Sequence, residues 1–328
     1  MEEKVQKAKD RGHKAEKPQQ IPATGWKDIG KRVYLQIGKD HVQIVSAGVA
    51  FYFFLALFPT IVAAISIYSL VLDPTQIQEQ LSNLNRILPQ QAFEIVNSIL
   101  EPILSQDNQS IGWGLLISIL ISLWSANKGT SALFEGINIA YDEKDERNFF
   151  KKNALTLVFT LGVIVLGLLS LLVVIFFPIF IEKMGLSETI AGVIGWSRWL
   201  VLGFILIFTL SMLYKIAPHR DNPEFKWVSW GAIIGAVLWV LGSALFSFYV
   251  NNFGSYGDLY GSFAAVVILL LWLFLTAFIV LLGAEINSEM EHQTRKDTTV
   301  GPNEPLGQRG GYHPDHVAGK DKKNDEPR

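Results

Sequence analysis

The sequence predicts an all-α polytopic membrane protein with six transmembrane helices and both termini cytoplasmic, and three observations carry that prediction. Half of the 328 residues are apolar and only 18% are charged, against a charged fraction near ~25% in soluble domains. The charges that exist are missing from six long stretches. Lys and Arg are concentrated in alternate connections between those stretches.

The stretches are Val42–Leu72, Ser110–Asn127, Asn153–Ile181, Trp199–Tyr214, Trp227–Gly257 and Leu259–Ala284, all without Asp, Glu, Lys, Arg or His. A hydrocarbon core of about 30 Å takes about 20 residues of helix, so helices are expected at about 44–71, 110–128, 154–181, 198–217, 228–250 and 262–285. A cleaved signal peptide does not fit, because the first apolar run begins only after 41 residues and is far longer than an h-region. Of the 28 Lys and Arg residues, 25 lie in the N-terminal segment, the 128–153 and 215–227 connections and the C-terminal tail; only Arg86, Lys183 and Arg198 lie on the other side. The excess of positive charge places the first group in the cytoplasm.

Outside the spans, residues 1–25 and 291–328 read as disordered cytoplasmic tails, since neither has a periodic apolar face. Between them, 26–290 is the membrane domain. Trp26, Ile29, Val33 and Ile37 recur at helical spacing among lysines, which suits a short helix lying on an anionic leaflet. The connection 73–109 carries two amphipathic patterns broken at Pro89 and reads as an external cap. Leu133, Phe134, Ile137 and Tyr141 extend the second helix beyond its span.

No catalytic residue, metal ligand or cofactor is expected. The chain has no cysteine, which removes disulfides, thiolate metal sites and thiol nucleophiles. Its histidines are scattered; only His313 and His316 are close in sequence, in a tail expected to be unfolded. There is no HExxH, GxSxG, Walker loop or dinucleotide fingerprint. A net charge of -2 gives no field for holding nucleic acid. None of the six cores contains an ionisable group, which counts against a proton relay at membrane depth, although backbone carbonyls at a broken helix could still hold Na⁺.

The candidate functional residues are therefore polar rather than catalytic. Tyr52, Pro59 and Ser66 belong to a hydroxyl-rich, proline-interrupted first helix, whose hydroxyls either bond backbone carbonyls near a kink or face a polar cavity. Lys128, Glu135, Lys215, Glu285 and Asn287 sit near the cytoplasmic helix ends. There Glu285 either pairs with Lys128 or Lys215 or each charge snorkels separately. Tyr256 and Tyr260 lie in the glycine-rich connection Asn251–Ser262, which is a tight turn or a loop folding back. Gly231, Gly235 and Gly242 form a small-residue stripe suited to packing within the bundle or to a homo-oligomer.

These pieces, in this order, carry a resemblance. SAGVAFYFFLALFP at 46–59, LWSANKGTSALFEGIN at 123–138, YKIAP at 214–218 and FSFYVNNFGSYGDLYGSFAAVVILLLWLFLTAFIVLLGAEIN at 246–287 resemble the YihY/BrkB family of bacterial inner-membrane proteins over roughly residues 30–290. The resemblance implies six helices with cytoplasmic ends in the bacterial cytoplasmic membrane. Members of the family have been called virulence or serum-resistance factors, and some a ribonuclease. A metal-dependent nuclease needs clustered ligands that this chain's sequence does not offer. Lys128 stands where the family often carries arginine, which keeps the charge and loses bidentate geometry.

The function expected is passive or weakly coupled transport of a lipid or other amphipathic envelope component, with membrane lipids as partners. The alternatives are a non-transporting envelope scaffold or partner-binding membrane protein and, third, a membrane-bound ribonuclease. The topology is checked by cysteine labelling, since no native thiol interferes: Ser82→Cys is expected to react with an impermeant thiol reagent from outside the cell, and reaction from the cytoplasm alone would reject the topology.

Overall fold

A computed structural model describes residues 11–71, 108–183, 188–253 and 263–318. Among them the long elements are all helices: α1 (Ala23–Lys39), α2 (Val42–Val71), α3 (Asn108–Ala140), α4 (Phe149–Lys183), α5 (Glu188–Ile216), α6 (Phe225–Phe253) and α7 (Ala264–Gln293), with a single turn α8 (Tyr312–Asp315) near the end. Five helices are long and apolar enough to cross a membrane, over Val42–Thr60, Phe149–Val174, Gly195–Ile216, Phe225–Val250 and Ala264–Gln293. The remaining expected span, 110–128, lies within α3, which runs on unbroken through the extension expected at 128–141. The external segment 73–109, apart from its last two residues, lies outside the described residues, as do Tyr256 and Tyr260.

The chain forms two compact units. One contains the described residues within Met1–Ser46, Ser131–Gly242 and Thr276–Arg328, the other those within Ala47–Thr130 and Ser243–Leu275. In the second unit, Pro59 sits inside α2 without ending it, and Thr60 Oγ1 donates to Ala56 O at 2.7 Å. For Thr60, such a bond within its own helix fits the packing account. The Phe53 ring lies against Gly129, where a Cβ would stand 3.2 Å from it.

In the first unit, α4 and α5 pack together and α6 meets α7 at very close range. A Cβ on Gly231 would overlap Gly283 O and the Asn287 amide; one on Gly283 would overlap the Tyr214 hydroxyl. Gly235 faces Tyr214, Leu210 and the Ile279 carbonyl. At Gly231 and Gly235 the bare faces of this stripe are thus filled by the chain's own helices.

The tails differ from the expected disorder. Residues 11–25 and 294–318 are folded onto the charged end of this unit. Ala15, Ile21, Ile29, Val33, Trp227 and Met290 form one apolar cluster, flanked by Trp26, Ile37 and Trp230. The apolar face of α1 is therefore buried against protein rather than laid on a leaflet. Thr294 Oγ1 donates to Ala15 O at 2.6 Å, and Gln293 Nε2 to Arg11 O at 2.7 Å. Residues 294–318 form a strap built on side-chain-to-backbone bonds. The Arg309 guanidinium donates to the carbonyls of Glu304, Pro314 and Arg295, and Asp315 accepts from the amides of Gly307 and Arg309. Burial raises the Asp297 carboxyl, but bonds from the Glu304 and Thr299 amides and the Thr299 hydroxyl together outweigh it and hold the group below its ordinary value. Gly310 passes Asp221 with φ 64°, a left-handed conformation at a point where a Cβ would collide with the Asp221 carboxylate.

Gly283→Ala is expected to force apart the Tyr214 hydroxyl and α7, at a cost of about 1–3 kcal/mol. The check is thermal unfolding of the purified chain in detergent, where the variant melts below wild type.

Candidate functional site

The site begins with the last turns of α7, where LLGAEINSEMEHQ places a polar or ionisable residue at most positions. At helical spacing, Glu285, Glu289 and His292 share one face, while Asn287 and Glu291 share another. All but His292 are almost fully buried, so each needs a partner.

On the Asn287 face, the side-chain amide reads the backbone of α6. Its Oδ1 accepts from the Gly231 amide at 2.8 Å and its Nδ2 donates to Val228 O at 3.1 Å. Nearby, the Tyr214 hydroxyl donates to Val280 O at 2.8 Å. One turn beyond Asn287, Glu291 forms a bidentate pair with Arg220, at 2.6 and 2.7 Å, with both side chains fully buried. Thr298 Oγ1 donates to the same carboxylate at 2.9 Å, and the guanidinium stacks 4.3 Å over the Tyr141 ring. Burial opposes the charge of Arg220, but Glu291 more than compensates and keeps the guanidinium protonated beyond its already high ordinary value. Burial also pushes the Tyr141 hydroxyl well above its ordinary value.

On the Glu285 face, Glu289 pairs with Arg32 Nε, and Arg32 Nη2 also reaches Glu289 O at 3.1 Å and Gln293 Oε1 at 2.8 Å. His292 Nδ1 lies 3.6 Å from the Glu289 carboxylate. Glu285 is different: neither of its oxygens accepts a bond from a donor group, and it faces the carboxyl of Asp40. Burial, then the neighbouring charge of Asp142, pushes Asp40 up to about 6. Asp142 is also raised by burial, but His313 and Lys39 bring it below its ordinary value. His313 Nε2 lies 3.3 Å from Asp142 Oδ2, near enough for an ion pair but off the line of a hydrogen bond. Its ring also meets that of His292, with centroids 4.9 Å apart.

The loops around the cluster are held by backbone bonding. Asn138 Nδ2 donates to Ala217 O at 3.2 Å and its Oδ1 accepts from the His219 amide at 2.8 Å. Arg147 donates to the carbonyls of Ile216, Ala217 and Pro218, completing the C-terminal end of α5. Glu143 accepts from the Tyr312 amide at 2.6 Å, which ties the strap to the α3–α4 turn; burial nonetheless leaves its carboxyl raised.

Of the candidate residues, the structure brings Glu285 and Asn287 into this cluster. Of the two arrangements open for these charges, pairing of Glu285 with Lys128 or Lys215 is not the one found: Glu285 faces a second carboxyl. The Lys128 ammonium lies 6.0 Å from the Trp124 ring, and Lys215 is half-buried near the end of α5. Glu135 is exposed and pairs with Lys152 at 2.7 Å. Tyr52 is half-buried beside Phe51, and Pro59 is half-buried; Ser66 lies within α2. Sequence reasoning missed Asp40, Asp142, Arg220, Glu291 and His313, which are distant in the chain. Among the described residues, no group of three or more His, Asp or Glu is arranged to hold a metal ion.

Comparison with known proteins adds a family. The family model described as Virulence factor BrkB matches residues 33–306. The chain is 30% identical over 262 residues to the ribonuclease-like protein YfkH of Bacillus subtilis (strain 168), covering 77% of this chain and 91% of that protein. It is 26% identical to a UPF0761 membrane protein of Psychromonas ingrahamii, over 79% of this chain and 86% of the relative. No solved structure matches.

Removing the Arg220 cation is expected to strand a buried carboxylate. Arg220→Gln should cost about 3–5 kcal/mol, and Arg220→Met combined with Glu291→Leu should regain most of it. Unfolding of both purified variants in detergent checks this; equal losses would reject a desolvated pair.

Proposed function

We propose that this chain, which belongs to the Virulence factor BrkB family, is a multi-pass protein of the bacterial inner membrane that moves a lipid or other amphipathic envelope component passively or with weak coupling. One observation carries the reading: the apolar stretches contain no Asp, Glu, Lys, Arg or His, and the described spans expose most of their apolar surface. Passage of a hydrated ion or polar solute is commonly served by charged side chains at membrane depth, and the apolar stretches carry none. An amphipathic molecule needs only an apolar track for its tail and a few hydroxyls for its head. The basic connections and both termini face the cytoplasm in this reading, and membrane lipids are the chain's surroundings as well as its cargo.

The ribonuclease-like name of the Bacillus relative is not carried over. The histidines near the cluster are spent on carboxylates: His292 lies beside Glu289 and His313 beside Asp142. A scaffold without transport is the second reading, favoured by the folded strap, whose outer surface offers Val300 and Leu306 exposed.

The test is reconstitution of the purified chain into liposomes with fluorescent lipids and a reductant added outside. Transport predicts bleaching beyond the outer leaflet, slowed by Tyr52→Leu at unchanged protein level. Bleaching limited to the outer half over a panel of head groups would leave the scaffold.

A further inference from the structure

We propose that the facing carboxyls of Asp40 and Glu285 form a proton-binding site, in which one proton is shared across the contact between the end of α1 and the end of α7. The inference concerns the charged end of the first unit and does not depend on what the chain carries. Glu285 is fully buried, and neither of its oxygens, nor Oδ2 of Asp40, has a donor partner. The two carboxyls nevertheless lie within hydrogen-bonding reach of each other. Two ionised carboxylates are acceptors only and repel; a hydrogen bond between them requires that one carry a proton.

The surroundings demand the same. Lys39 faces Asp40 from α1, Asp142 approaches from the α3–α4 turn, His313 from the strap and Glu289 from one turn along α7. Glu289 is already matched by Arg32 and flanked by His292. Among the described residues, Arg32 and Lys39 are the permanent cations that act on Asp40, Asp142 and Glu289. His313 lies against Asp142, and the shared proton leaves the buried pair with one negative charge instead of two. Such pairs titrate as a unit.

The pair also sits at a mechanical joint. Asp40 is followed by His41, whose φ of 51° makes the turn from α1 into α2. Loss of the proton would set two carboxylates face to face at that joint, so proton occupancy holds α1 against α7.

The test uses the purified full-length chain in lipid nanodiscs. The protonated-carboxyl infrared band is followed against pH for wild type, Asp40→Asn and Glu285→Gln, alongside thermal unfolding. Expected is a band component in wild type that persists well above the ordinary carboxylate value of 3.8 and is absent from both variants. Because the Asp40 value is raised in the folded state, the stabilisation from the proton on Asp40 itself is fully present below 3.8 and lost as pH rises through about 6. The wild-type melting temperature should accordingly fall across that window, and Glu285→Gln, a permanent mimic of the protonated carboxyl, should flatten the fall. Three results would overturn the proposal: no such component in wild type, its survival in both variants, or its loss on adding Na⁺ at fixed pH, which would mean a metal cation holds the pair. Should a variant not fold, the wild-type titration with and without Na⁺ decides.

Discussion

The close approach of α6 to α7 fixes where the charges at the end of α7 can go. Gly231 and Gly283 lack the Cβ atoms that would hold the two backbones apart, and the Asn287 amide spans the gap to bond both a donor and an acceptor of α6. A contact made to backbone atoms leaves α7 no freedom to rotate about its axis. Glu291 follows from that register, delivered one turn beyond Asn287 to Arg220, while Glu285 and Glu289 are turned toward α1. Small residues, rather than apolar volume, set this geometry, as expected where helices pack without a hydrophobic drive between them.

Once the register is set, electrostatics determines the surroundings. Three acidic residues on the last turns of α7 are buried, and each is handled in a different way. Glu291 receives a bidentate guanidinium, a threonine hydroxyl and an aromatic ring over the cation. Glu289 receives an arginine from α1. Glu285 receives another carboxyl. Replacing a buried ion pair with apolar groups commonly costs little, so pairs of this kind argue for a specified arrangement more than for net stability. What they specify here is the attachment of α1 and of the strap, because Arg32 and Thr298 lie on those segments.

Five spans were legible in the sequence because their signal is local: a run without charges needs no knowledge of its neighbours. Glu285 and Asn287 were legible as residues of interest because they close a long apolar run with abrupt polarity. Their partners were not. Arg32 and Glu289 are separated by 257 positions, and no periodicity links them. The strap was misread because its glycines, prolines and charges resemble a disordered tail in composition. Its order comes from side chains bonding backbone, as Arg309 does to three carbonyls, and such bonds have no sequence period. The face of α1 was recognised correctly, but an apolar stripe does not say whether lipid or protein will cover it; Trp227 and Met290 decide that.

Absence of Asp, Glu, Lys, Arg and His from the apolar stretches counts against a proton relay at membrane depth. It does not exclude proton chemistry elsewhere in the chain, because the physical requirement is removal from water rather than position in the bilayer. Here the folded tails supply the removal. Residues 11–21 and 294–318 cover helix ends that would otherwise meet solvent, and Glu285 is wholly buried although it stands at the margin of an apolar run. A membrane protein whose long apolar stretches carry no Asp, Glu, Lys, Arg or His can thus still hold a titratable pair, provided its tails build the dry environment that the bilayer supplies in other cases.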